Sequence, residues 1–243
     1  MIKLPSLDEL VEAGVHLGHK KSRLAPKMLP YIYGVRNTSH LIDLEKTLVK
    51  MEEAMNFIAD KVAQGGVILF LGTKPAAKKI IKKYAEEVAV PFVYERWLPG
   101  TLTNFETIVN LIEKFKKMEK EKAANGWEKY TKKERLNMEK TLISLEKMVG
   151  GIKSLTKKPD VLFIVDTQEE KTALKEAKRC NIPVVALVNT NANPEKVDWA
   201  IPANDNAVKV IELITRFMAE AVKEGKAQKE KNKVEVKEKK EIK

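Results

Sequence analysis

Apolar positions along this chain recur in two distinct patterns. Leu44, Leu48, Met51, Met55 and Ile58 fall at helical spacing and stop near Gly65-Gly66, a pair suited to ending a helix. Val67-Ile68-Leu69-Phe70-Leu71, Val161–Val165 and Val184–Val188 are unbroken apolar runs, the pattern of strands buried on both faces. Between them Pro75 opens a helix through Ala76, Ile80, Ile81 and Ala85, and Val90-Pro91-Phe92-Val93-Tyr94 reads as a short strand. A helix over Glu169–Arg179, a short strand near Trp199-Ala200-Ile201 and a helix from about Asn204 to Val222 complete the alternation. Each crossover between parallel strands must pass over one face of the sheet. The pattern therefore predicts an α/β fold: a three-layer parallel sheet with helices on both faces, flavodoxin-like or Rossmann-like.

One stretch breaks this rhythm. Asn104 to Val149 carries no strand signal, while Phe105, Ile108, Ile112 and Phe115, then Met138, Leu142, Leu145 and Val149, repeat every three or four residues. Ala124-Asn125-Gly126 offers a reversal between them, so an inserted antiparallel coiled-coil hairpin is predicted. Its outer positions are crowded with Lys and Glu, and it is read as an arm that projects to touch a large partner or acts as a solvated spacer. The organisation follows: 1–103 as the first part of the α/β domain with a basic N-terminal region, 104–150 as the hairpin, 151–224 as the second part of the domain. Residues 225–243, nearly all Lys, Glu and other polar residues, are predicted to be a disordered basic tail.

Composition narrows the function. The 243 residues are 44% hydrophobic, enough for a real core, and 45 Lys plus Arg against 34 Asp plus Glu leave a net charge of +11. Such an excess points to a polyanion, either nucleic acid or an acidic membrane surface. No run is long and apolar enough to span a bilayer, and Met1-Ile2-Lys3-Leu4-Pro5-Ser6 lacks the features of a secretory signal, so a cytoplasmic protein is expected. Cys180 alone permits neither an internal disulfide nor a cysteine zinc site. Aromatic residues are only 6%, which favours phosphate contact over base stacking. The charge is also localised: from Ala13 to Ile42 there is no Asp or Glu, yet Lys20, Lys21, Arg23, Lys27 and Arg36 lie there with all three histidines. A solvated face mixes both signs, so this window reads as an anion contact. Tyr31-Ile32-Tyr33-Gly34 and His40-Leu41-Ile42 are predicted as two short strands within it.

The catalytic motifs are weak. The turn Gly72-Thr73-Lys74-Pro75 follows a strand, but it lacks the three glycines of a dinucleotide site, and Pro75 stands where a phosphate loop needs Ser or Thr. His16 and His19 supply two nitrogen ligands at most and read as packing or RNA contacts; no metal and no cofactor is expected. Cys180 reads as a small buried hydrophobe. Asp160, Asp166, Asn189, Asp198 and Asp205 lie near strand ends, where α/β sheets place active sites, but Asp160 suits a turn and Asp205 suits a cap on the last helix. No nucleophile or acid–base pair emerges. In Glu95–Asn104, Trp97 is either core or a platform for a ribose or base, and Arg96, Thr101, Thr103 and Asn104 are candidate phosphate donors; Thr103 or Asn104 could equally cap the following helix.

Taken together these segments closely resemble the bacterial ribosomal protein S2 family, the second protein of the small subunit. The likeness runs through Glu12-Ala13-Gly14-Val15-His16-Leu17-Gly18-His19, Pro26–Gly34, Arg36-Asn37, His40–Thr47, Leu71-Gly72-Thr73-Lys74, Arg96-Trp97-Leu98, Gly100–Phe105, Gly150-Gly151-Ile152 and Ile182–Ala186, covering essentially the whole chain before the tail. It implies a non-catalytic structural role on small-subunit (16S-type) rRNA at the back of the subunit. It also implies neighbouring ribosomal proteins as partners, including the large first protein that captures mRNA, with no membrane and no small-molecule substrate. Four residues depart from the family pattern: Pro99 for a usual glycine, Asn189 and Asn193 for frequent aspartates, and Ala203 for a usual glycine. The competing readings are a small-molecule-binding α/β enzyme and an RNA-binding regulator outside the ribosome.

Overall fold

The computed structural model describes residues 4–241, with side chains through residue 231. The reading of the first three residues as free of a leader, and Ile242 and Lys243 of the tail, fall outside the described residues. The chain begins with helix α1 (Leu7–Ala13), whose Ser6 and Glu9 exchange capping bonds at 3.2 Å each. Strands β1 (Leu17–Lys20), β2 (Ile32–Arg36) and β3 (Ser39–Ile42) follow and form a small antiparallel sheet in the order β1-β3-β2. Asn37 and Thr38, both at positive φ (47° and 65°), make the two-residue turn between β2 and β3.

Next come α2 (Leu44–Ala63), β4 (Ile68–Leu71), α3 (Pro75–Glu87) and β5 (Phe92–Val93). Asp43 caps α2 by accepting from the amides of Glu45 and Lys46. The helices α4 (Phe105–Ala123) and α5 (Lys132–Val149) form the inserted hairpin, and β6 (Val161–Val165), α6 (Lys171–Arg179), β7 (Val184–Val188), β8 (Trp199–Pro202) and α7 (Val208–Glu241) finish the chain. The five strands β5-β4-β6-β7-β8 are parallel throughout.

Alternation along the buried strands builds two cores. Ile68 and Phe70, Val161, Phe163 and Val165, Val185 and Leu187 face one side with α1, α2, α3 and α7. Leu69 and Leu71, Leu162 and Ile164, Val184, Ala186 and Val188 face the other, with α6 and the inner faces of α4 and α5. This is the three-layer α/β fold that the apolar runs predict. In the hairpin Ile108, Ile112 and Phe115 are buried with Leu142, Leu145 and Val149, and Lys122 near the end of α4 pairs with Glu139 in the first half of α5 at 2.8 Å. The two helices therefore run antiparallel. The reversal is longer than Ala124-Asn125-Gly126, because α5 starts only at Lys132, where Thr131 and Glu134 form a capping box.

Two expectations are corrected at the C-terminus. Asp205 does not cap α7, which starts at Val208; its carboxylate turns inward to Asn189. The chain also does not leave the helical state at Gly225, since α7 continues to Glu241. Gly225 is a contact residue here, not a terminator: a Cβ on it would lie 2.5 Å from the carbonyl oxygen of Ala59 and 2.8 Å from Val62 Cβ on α2. Lys226 then donates to the carbonyls of Val88 and Ala89, and the Lys- and Glu-rich sequence beyond has good intrinsic helix propensity. Gly225→Leu is accordingly expected to push α7 off α2 and lower stability by about 2 kcal/mol, read as a lower midpoint in urea unfolding. An unchanged midpoint would mean that the helices are not in close contact there.

Candidate nucleic-acid interface

The acid-free window is fastened to the body by backbone bonds. The amide of His19 donates to Thr190 Oγ1 at 2.9 Å, that of Ala25 to the carbonyl of Thr190 at 2.8 Å, and that of Asn204 to the carbonyl of Val15 at 3.2 Å. Gly18 makes this approach possible, since a Cβ there would sit 2.6 Å from Thr190 Cγ2. Lys20, Lys21, Arg23, Lys27 and Arg36 are all exposed. Among the described residues the first three and Arg36 have no carboxylate partner, while Lys27 pairs with Glu195 at 2.8 Å with both side chains largely in solvent. Such an exposed pair is worth little and yields readily to a stronger anion.

The three histidines diverge within the window. His40 is buried in β3, His16 is half-buried, and His19 points its Nε2 towards Asp205 at 3.9 Å. Among the described residues no group of three or more His, Cys, Asp or Glu side chains is placed to hold a metal. Tyr33, 81% exposed, and the exposed Val35 lie on β2 next to Arg36. The sequence pattern ends this strand at Gly34 and gives neither residue a role, whereas β2 runs on to Arg36.

The loop into α4 is organised by a residue the sequence reading overlooked. Glu176, on the inner face of α6, is buried. Its Oε1 accepts from the Trp97 indole at 3.2 Å and the Gly100 amide at 2.8 Å; its Oε2 accepts from the Leu102 amide at 3.0 Å and from the Thr103 amide and hydroxyl at 3.3 Å each. Burial by itself raises this carboxyl, but the converging donors of Leu102, Gly100, Trp97 and Thr103 outweigh it and hold the group below the usual range. Trp97 is thereby a core residue. Thr101 is corrected as a phosphate donor, because it is buried and its hydroxyl donates to the carbonyl of Leu98 at 2.6 Å. Arg96 and Asn104 remain exposed, and Asn104 occupies the N-cap of α4 without a side-chain capping bond. Thr103 is exposed with its hydroxyl turned towards Glu176.

The crevice where such a sheet takes small ligands is filled from within. With β4 counted first, the strand order reads 2-1-3-4-5, and the switch point lies between β4 and β6. There Lys74 reaches Asp166 at 3.1 Å, Asp205 at 3.5 Å and the Asn206 side-chain oxygen at 2.6 Å. Asn189 Nδ2 donates to Asp205 at 2.7 Å. Asp205 is nevertheless pushed up, first by burial and then by the charge of Asp166, against the hydrogen bond from Asn189 and the charges of Lys74 and His19. Thr73 directs its amide (3.0 Å) and hydroxyl (2.6 Å) into Glu170, so the donors that a phosphate would need are taken by a carboxylate. Asp160 accepts from the Val67 amide and Asp198 from the Val184 amide, both as strand-end braces. The polar residues at the strand ends thus serve one another.

Comparison with known proteins places this geometry. The family model described as Ribosomal protein S2 matches residues 10–225. The chain is 45% identical over 226 residues to the Small ribosomal subunit protein uS2 of Desulfatibacillum aliphaticivorans, covering 93% of this chain and 76% of that protein.

Proposed function

The chain belongs to the ribosomal protein S2 family, and we propose that as a structural component of the small ribosomal subunit it binds the subunit's RNA through its N-terminal window. The family is structural, not enzymatic. The observation that carries the reading is the exposed set Lys20, Lys21, Arg23 and Arg36, free of carboxylate partners among the described residues, on a sheet bonded to a rigid α/β body. The backbone that carries these four cations is already ordered by its bonds to the body, so contact costs side-chain freedom only, against which phosphate neutralisation and counterion release are gained. Lys27 joins them by exchanging Glu195 for phosphate, while Arg96 and Asn104 orient the RNA near the root of the arm; Thr103 does not, because its one hydroxyl proton goes to Glu176.

The hairpin α4–α5 reaches a second RNA element or a neighbouring protein. In the bacterial cytoplasm the bound chain helps anchor the large first protein of the subunit for mRNA capture. Among the described residues no helix is long and apolar enough to cross a membrane.

Replacing Lys20, Lys21 and Arg23 by glutamine is expected to lower the slope of log affinity against log salt on purified small-subunit rRNA by about 2, and to reduce recovery in sedimented subunits. A variant with the wild-type salt slope and full recovery would reject the window as the RNA contact.

A further inference from the structure

The two faces of α6 carry opposite chemistry. Ala173, Leu174, Glu176 and Ala177 are buried, while Lys171, Lys175 and Lys178 are exposed. Residues spaced by four and three lie on one strip of a helix, so these ammonium groups form a row along its surface. Lys196, from the short turn Pro194–Lys196 after β7, joins them across a cavity of about 380 Å³ that Gln168 and Asn193 also line and that has no carboxylate in its wall. Among the described residues none of the four lysines has an ion-pair partner. Elsewhere Lys50, Lys78, Lys83, Lys122, Lys157 and Lys223 each meet an acid within 3.2 Å. Like charges at this spacing repel one another, an unfavourable arrangement in isolation that an external anion relieves.

The position of the cleft links it to the window. Gln168 Nε2 donates to the carbonyl of Asn191 at 3.0 Å, and the next residue back, Thr190, holds His19 and Ala25 of the window. Glu195, beside Lys196, is turned to Lys27 of the window at 2.8 Å. The loop 189–196 therefore has the window on one side and the lysine cleft on the other.

We infer that this cleft is a second site for the RNA backbone, continuous with the window, so that a run of phosphates passes over the 189–196 loop. This rests on the rRNA-binding reading given above. An acidic protein is the weaker fit. Protein interfaces are depleted in lysine and centre on aromatic and arginine anchors, and none lines this cleft. Lysine instead serves phosphate as a point charge, and the side-chain amides of Gln168 and Asn193 are suitable for phosphate or 2′-hydroxyl oxygens.

The test compares the full chain with two variants on purified small-subunit rRNA across a salt series. One variant carries Lys171→Gln, Lys175→Gln, Lys178→Gln and Lys196→Gln; the other places arginine at the same four positions. Glutamine and arginine are both good helix formers, so α6 stays folded, checked by circular dichroism. The glutamine variant is expected to lose about 2–3 from the salt slope and the arginine variant to keep it. A glutamine variant with the wild-type slope, while neutralised Lys20, Lys21 and Arg23 still lower theirs, overturns the cleft and leaves the rRNA reading standing. Loss of the glutamine variant from subunits with unaltered rRNA binding assigns the cleft to an acidic protein and overturns the inference too. A wild-type chain with no salt-dependent rRNA binding overturns both.

Discussion

Lys74→Met is expected to destabilise the protein by about 4 kcal/mol, lowering the thermal midpoint by about 10 °C for a chain of this size. Lys74 is the cation between Asp166 and Asp205, whose side chains are only 7% and 2% exposed. Methionine fills similar volume but removes the ammonium that faces both buried carboxylates, and removal of one partner is where buried ion pairs become costly. The pH dependence identifies the cause. Asp205 is pushed up by burial and by Asp166, so between its unfolded and folded values the native state holds the extra proton. That contribution is present at low pH and is lost as pH rises through the folded value. Without Lys74 the folded value moves further up. The gap between variant and wild type should therefore be widest at neutral pH and narrow on mild acidification, measured by urea unfolding at several pH values. A gap that ignores pH would put the damage in packing, not in charge.

Glu176→Ala is the second large effect, at about 3 kcal/mol. Its carboxylate is the common acceptor for the Trp97 indole, three backbone amides and the Thr103 hydroxyl. Alanine leaves buried donors unpaired, and an unpaired buried donor carries its full desolvation penalty. Glu176→Gln should also destabilise, by about 2 kcal/mol, because donors converge on both oxygens and an amide nitrogen at either place opposes them. The sign with pH is opposite to that of Asp205. Glu176 is held low in the native state, so its contribution is present above the unfolded range, near ~4.3, and disappears as pH falls through the folded value. Glu176→Gln should flatten that acid limb of the stability curve. Hydrogen exchange at Gly100, Leu102 and Thr103 should accelerate in both variants; unchanged protection there would show that the loop holds itself without the carboxylate.

The contrast between these residues and the strands shows what the linear pattern carries. Strands β6 and β7 are readable to their ends, Val161–Val165 and Val184–Val188, because both of their faces are buried and their apolar runs are unbroken. The helical hairpin is readable from the seams of Ile108, Ile112, Phe115, Leu142, Leu145 and Val149. The end of α7 was not, because Gly225 and the charged sequence after it look like a solvated tail; only the packing of α7 on α2 reveals the glycine as a contact point.

Side-chain partners were harder still. Thr101 and Thr103 belong to a loop whose polarity suggests an outward donor, yet the first is buried and the second bonds Glu176. Lys74 was visible as a turn residue, but its partners lie some ninety and one hundred and thirty positions away and are brought together only by the sheet. Glu176 did leave a trace. It stands three residues after Ala173 and beside Ala177, on the apolar stripe of α6, where an ordinary solvated glutamate has no place.

The clamp at Glu176 has a mechanical consequence. The arm meets the body at two points, through the loop leading into α4 and through the Gly150–Ile152 turn that follows α5. A rod pinned at one point swings, whereas a rod pinned at two keeps its bearing. The 19 residues of α4, ~28 Å of helix, are thus a gauge of set length and angle. If RNA is what the arm meets, it is the pliable polymer, not the protein, that has to bend to fit.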